Sequence, residues 1–214
     1  MDKKNYLVFD YGASNGRAAV AGFDGKRFDL KVTHRFDNRP VFAGGTLYWD
    51  FLRLFSELKI GIQKSVKDFS HMRSMGIDTW GADFGLLDDN GKMLSNPINY
   101  RDGQSAKDAE GLHEIIPRRE LFEITGFLCS PIFDIYRLYS LKKNGSAALA
   151  NANTYLAMGD LFNYFLTGNT VNEFTRFTSS NLFNQKQKET IKNIIDSLGI
   201  PEKIFPELIY PGHK

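Results

Sequence analysis

The sequence predicts an α/β fold in which a mixed sheet opens on three antiparallel strands and is flanked by helices. From Tyr6 the chain alternates short apolar runs with hairpin dipeptides. After Asp50 the apolar residues change to helical spacing, and a further short apolar strand follows that helix at once. A strand, a helix and a returning strand build a parallel pair, so the sheet is mixed.

The opening reads YLVFD, YGASNG, RAAVAGF, Asp24-Gly25 and FDLKVTHRF, an antiparallel meander. Asn15-Gly16 and Asp24-Gly25 are hairpin dipeptides because both tolerate positive φ at low cost. In the third strand Phe28, Leu30, Val32, His34 and Phe36 alternate with Asp29, Lys31, Thr33 and Arg35, which predicts one dry face. Asp50 is placed to cap a helix carrying Phe51, Leu54, Phe55, Leu58, Ile62, Val66 and Phe69 in one stripe. SMGIDTW then returns as the strand of a covered, largely parallel sheet edge, and GADFGLLDDNGKML as a hairpin turning near Asn90-Gly91. The remainder is mostly helical: a start at Ser105 with Asp108 three residues on, Asp134 to Lys143 closed by Gly145, GDLFNYFLTG with Asp160 as its cap, and KETIKNIIDSLG. The aromatics between Phe162 and Phe183 read as helix packing.

Composition narrows the function classes. The 214 residues are 42% hydrophobic and 24% charged, as in an ordinary globular chain, and one domain is expected. A net charge of +2 from intermixed acids and bases offers no stripe for a nucleic-acid backbone, so no nucleic-acid partner is expected. Cys129 is the single cysteine, which forms no internal disulfide, and His34, His71, His113 and His213 lack ligand spacing. No run approaches the ~20 apolar residues of a membrane span, so the expectation is a cytoplasmic protein without a membrane partner.

The first chemical signal is FDYGASNGR, an acid at a strand end followed by a Gly-rich turn. Backbone amides of Gly12, Ala13, Ser14, Asn15 and Gly16 can form an anion-binding concavity, with Arg17 adding charge. Asp10 can hold Mg²⁺ through water. The plain alternative is a hairpin with a convenient acid. The motif is neither a Walker A loop nor a dinucleotide fingerprint. The second signal is GIDTWGADF, where Gly81 admits close backbone approach, Trp80 offers an aromatic face and Asp83 offers two acceptors. Its alternative is a tight turn with a core tryptophan. Asp78, inside the strand, is read as bracing neighbouring backbone.

The meander with FDYGASNGR resembles the opening of the actin-like, ribonuclease H-like ATPase folds. GIDTWGADFGLLDDNGKMLSNPINYRD, together with GDLFNYFLTG, HRFDN, YWD, ITG and the terminal PGH, resembles the FGGY-family carbohydrate kinases, and within them the rhamnulokinases. Order and spacing agree from Tyr6 to about Gly212. The resemblance implies that Gly12, Ala13, Ser14, Asn15, Gly16 and Arg17 face ATP and that Asp10 positions Mg²⁺. It implies that Trp80, Gly81 and Asp83 face a small sugar. Tyr100, Arg101 and Asp102 match positions that line the acceptor hydroxyls, although Arg101 or Asp102 could equally form a surface ion pair.

The implied reaction phosphorylates a ketose, with L-rhamnulose ahead of L-fuculose and L-xylulose. The rivals are a non-catalytic sugar-binding remnant and an actin-like assembly protein. Residues 1–214 correspond to the N-terminal domain of such kinases. The resemblance places the catalytic base beyond Lys214 and the nucleotide pocket in a C-terminal domain that this sequence does not contain.

Overall fold

Asp24-Gly25 turns the second hairpin with Gly25 at φ 98°, but Asn15-Gly16 opens the second strand without a positive φ, which corrects its reading as the turn dipeptide. The first turn is closed one step earlier, by the Gly12 amide donating to Asn15 O at 2.9 Å. Strands β1 (Lys4–Tyr11), β2 (Asn15–Phe23) and β3 (Phe28–Asp37) pair antiparallel in sequence order. The computed structural model describes residues 3–213. A small hairpin, β4 (Val41–Ala43) and β5 (Thr46–Tyr48), turns on Gly44 and Gly45. Helix α1 (Phe51–Asp68) follows, capped as expected by Asp50, whose carboxylate accepts from the Arg53 amide at 3.2 Å. Strand β6 (Met72–Thr79) then lies parallel to β1, and the sheet order is β3-β2-β1-β6. This sheet with α1 forms the first of two compact units, Met1–Val41 with Trp49–Trp80; the second is Phe42–Tyr48 with Gly81–Lys214.

One residue breaks the expected alternation in β3. Ala18 pairs with His34 but Ala19 pairs with Val32, so Thr33 is an extra residue in a β-bulge. After the bulge His34 and Phe36 face α1. Before it Val32, Leu30 and Phe28 share the far face with Ala19, Ala21 and Phe23. Phe28 and Leu30 are therefore 65% and 66% exposed, which corrects the single dry face read from the sequence. Thr33 uses its place in the bulge to reach α1, with its Oγ1 2.7 Å from Ser65 Oγ.

The stripe that α1 buries also differs from expectation. It is Phe51, Leu54, Leu58, Gly61 and Ser65, and Val66 is exposed. Small residues occupy its second half because the helix approaches the sheet closely there. A Cβ on Gly61 would lie 2.7 Å from the Phe9 ring and 3.0 Å from Ala18 Cβ. Strand β6 is the edge of its sheet, as expected, but it is mostly exposed rather than covered.

The second unit is mostly helical, with short two-stranded pairs among its helices. Its elements are β7 (Phe84–Leu87), α2 (Gln104–Ile115), α3 (Arg118–Thr125), α4 (Asp134–Lys143), α5 (Ala147–Ala150), β8 (Thr154–Ala157) and α6 (Met158–Thr167). Shorter pieces complete it: β9 (Asn172–Glu173), α7 (Phe174–Phe177), β10 (Phe183–Asn184), β11 (Glu189–Thr190), α8 (Lys192–Ser197) and β12 (Leu208–Ile209). The chain turns at Gly91 after β7, but only Leu87 bridges Met93, and the principal partner of β7 is β8.

Gly145 and Gly168 adopt the positive φ expected of residues that close α4 and α6. Helix α8 begins later than KETIKNIIDSLG suggests because Glu189 and Thr190 pair with β10. Phe162 and Phe177 are buried on helices α6 and α7, which agrees with helix packing, while Phe183 is buried on strand β10. Two expected caps are corrected. Asp108 is buried and accepts from Ser140 and Asn144 of the α4 end, and Asp160 accepts from the Glu173 amide at 3.1 Å.

Candidate functional site

The phosphate-loop candidates gather at the β1–β2 turn of the first unit. Asp10 and Arg17 are register partners, and Arg17 Nε and Nη2 donate to Asp10 Oδ2 at 2.9 and 2.5 Å. Both side chains are about half exposed, at 45% and 47%, so the pair orients the carboxylate more than it stabilises the fold. Ser14 and Asn15 are exposed at the tip, while Gly16 is buried under Phe36, whose ring would lie 2.2 Å from an added Cβ. Asp78 is the parallel-register partner of Asp10, so two carboxylates stand side by side at neighbouring strand ends.

Asn38 is a loop residue that sequence reasoning missed. Its Nδ2 donates to Gly12 O at 2.8 Å and its backbone amide donates to Ser14 O at 2.9 Å, while the residue is 2% exposed. It therefore braces the turn from below. Its place at the end of HRFDN, two residues past the last ring of β3, was the available signal.

Trp80 ends the first unit with its ring against buried Trp49, centroids 4.1 Å apart at 35°. One aromatic face is thus already used. In the second unit Gly81 is exposed, has ordinary φ, and would meet no atom within 4 Å if it carried a Cβ. Asp83 turns inward. It has φ 74°, is fully buried, and its Oδ1 lies against Arg137 Nη1. This corrects the expected role of Asp83 as an acceptor for ligand hydroxyls: its carboxylate is committed to a buried guanidinium.

The segment Tyr100–Asp102 forms a turn hung from buried Asn99. The Arg101 amide donates to Asn99 Oδ1 and the Asp102 amide to Asn99 O, both at 2.8 Å. Asp102 receives the Leu47 amide on Oδ2 at 2.9 Å and the Gln104 amide on Oδ1 at 3.1 Å, so it ties β5 to this turn. Arg101 is exposed and lies over the Tyr100 ring, 4.8 Å from its centroid.

Beneath these turns the second unit buries a set of charges. Arg137 also donates through Nη2 to Ile98 O. Arg176 Nη2 donates to Asp134 Oδ2 at 2.7 Å and to Asp83 O at 3.3 Å, and the Tyr155 hydroxyl donates to the same Asp134 oxygen at 2.6 Å. Burial works against the Arg176 charge, but the Asp134 carboxylate outweighs it and the pKa rises. Burial pushes the Tyr155 hydroxyl well above its ordinary range. Burial also raises Asp160 to about 6, against the lowering effect of the Glu173 amide.

The chain matches the model of the FGGY family of carbohydrate kinases, N-terminal domain, over residues 5–214. It is 38% identical over 208 residues to a rhamnulokinase of Halalkalibacterium halodurans, covering 97% of this chain and 44% of that protein. It is 34% identical over 214 residues to a rhamnulokinase of Enterococcus faecalis, covering 99% and 42%. The chain thus spans less than half the length of these curated relatives. Among solved structures, a ligand-bound xylulose kinase from Lactobacillus acidophilus superposes with a TM-score of 0.86 at 17% identity, over 97% of this chain and 42% of that one. Plasmodium falciparum glycerol kinase with ADP superposes at 0.77 and 15% identity, over 96% and 43%. Those two likenesses bear on the fold, which is that of the sugar kinases. The family match over both units, and the rhamnulokinase identity along almost the whole sequence, establish that this chain belongs to the FGGY family of carbohydrate kinases, whose N-terminal domain it carries.

Proposed function

We propose that this chain supplies the sugar-holding and phosphate-facing half of an ATP-dependent ketose kinase whose substrate is L-rhamnulose. The observation that carries the reading is the rhamnulokinase identity of 38% along 97% of the chain. In the proposed reaction a sugar hydroxyl gives its proton to a base and attacks the γ-phosphorus of ATP, the bond to the ADP oxygen breaks, and L-rhamnulose 1-phosphate and ADP leave. Catalysis of this type rests on positioning and charge stabilisation.

Each part of the chain has a place in that reading. Gly12, Ala13, Ser14, Asn15 and Gly16 present the turn to the phosphates, Arg17 orients Asp10, and Asn38 keeps the turn rigid. Gly81, Tyr100 and Arg101 offer backbone, ring and charge to the sugar, while Asp83 and Asp102 hold those segments in place. The donor set suits Mg²⁺ carried by a nucleotide. Among the described residues no three acidic, His or Cys side chains gather into a metal cage. Mg²⁺ bound through one or two carboxylates, with phosphates and water completing its shell, needs no cage. When bound, the ion would neutralise charge on the phosphates; Asp10 would be its protein ligand, directly or through water. A cytoplasmic location suits this chemistry, and among the described residues no helix is long and apolar enough to cross a membrane.

Calorimetric titration of the chain with L-rhamnulose, L-fuculose, L-xylulose and ATP tests the proposal. Saturable heat with L-rhamnulose, tighter than with the other ketoses, is expected. No heat with any ketose would remove the sugar from this chain, and nucleotide-dependent filaments would favour an assembly protein.

A further inference from the structure

Two turns carry the sugar-facing candidates of the second unit, one at Gly81–Asp83 and one at Tyr100–Asp102. A single side chain reaches both. Arg137, 6% exposed in α4, places Nη1 against the Asp83 carboxylate and donates Nη2 to Ile98 O. Ile98 directly precedes Asn99, from which the whole Tyr100–Asp102 turn is hung. At the other end of the fork, Asp83 holds φ 74°, a backbone state that non-glycine residues seldom adopt and that surrounding contacts must enforce. The guanidinium carbon also lies 5.6 Å from the Phe84 ring centroid, which fixes the guanidinium beside β7.

We infer that Arg137 is a positioning residue that sets the spacing between the Gly81 turn and the Tyr100–Asp102 turn, and through it the fit of the sugar. This rests on the ketose reading above. The chemistry requires arginine. A planar fork donates in two fixed directions at once, to a carboxylate on one turn and a carbonyl on the other, whereas a lysine ammonium is a single point of charge on a flexible stem. A residue that merely neutralised Asp83 would need only the charge.

The test separates those roles. Arg137→Met alone strands a buried carboxylate and endangers folding, so the decisive variant combines Asp83→Asn with Arg137→Met. Asparagine tolerates positive φ, and no lone charge remains. This variant is expected to stay folded, to bind L-rhamnulose about tenfold more weakly or worse by calorimetry, and to exchange the Arg101 and Asp102 amides faster in deuterium exchange. Arg137→Lys is expected to recover the melting temperature but not the affinity.

Unchanged affinity and unchanged amide protection in the folded double variant would overturn the inference, as would full recovery of affinity by lysine. If the parent chain binds no L-rhamnulose, the sugar reading falls and the exchange measurement alone decides. Faster exchange at Arg101 and Asp102 then upholds the link between the turns, and unchanged protection removes it.

Discussion

At Gly81 the missing side chain leaves open space rather than relieving strain. Its φ is ordinary and an added Cβ would touch nothing within 4 Å. Gly81→Val is therefore expected to melt like its parent, which removes the explanation that glycine is there for backbone freedom. If a ketose approaches this backbone, the valine must displace it, and L-rhamnulose affinity should fall about tenfold to a hundredfold, roughly 1–3 kcal/mol. Parallel melting and calorimetric curves check this, and a folded variant that binds normally would take the sugar away from this turn. Gly16 behaves oppositely. The Phe36 ring occupies the space of its side chain, so Gly16→Ala should lower stability before it affects any ligand.

Elements were legible where local rules suffice and illegible where a distant partner decides. The N-cap at Asp50, the glycines closing α4 and α6, and the parallel return of β6 followed from spacing and capping chemistry. The bulge at Thr33 did not, because an extra residue leaves the apolar alternation of β3 intact while reversing which face it serves. The Asp83–Arg137 contact joins residues far apart in sequence, so Asp83 looked like a ligand acceptor. The β1–β2 turn with Asp10 near its entrance follows from the local sequence, but its brace, Asn38, comes from another strand end.

Asp160 at the start of α6 gives a prediction on this scale. Burial raises its pKa from 3.8 to about 6, so the folded chain holds this proton more tightly than the unfolded chain. Its contribution to stability is fully present below the unfolded pKa and is lost as pH rises through about 6. Asp160→Asn keeps an acceptor for the Glu173 amide and removes the titration. The variant should gain up to about 3 kcal/mol over the parent at pH 7 and nearly nothing at acidic pH below the unfolded carboxylate range. Thermal melts of both chains across that range check it; a constant offset at every pH would assign the effect to something other than this proton.

On the scale of the whole polypeptide, the chain spans less than half the length of the curated relatives it matches. The chain alone should release no ADP from ATP with L-rhamnulose, and turnover that copurifies with it in a coupled assay would refute this. Phe28, Leu30 and Val32 leave an apolar far face on the sheet of the first unit. Leu30→Lys should raise the concentration at which light scattering appears without lowering the melting temperature, and an unaltered threshold would show that this face does not limit solubility.

The chain has only two tryptophans, and they form the Trp49–Trp80 pair, with ring centroids 4.1 Å apart. Two indoles so close and inclined at 35° couple their electronic transitions, so the red edge of the near-ultraviolet circular dichroism spectrum, where tyrosine no longer absorbs, arises from one place in the molecule. The protein thus carries a built-in optical gauge one residue from Gly81, and any ligand or substitution that tilts Trp80 will register there without a label.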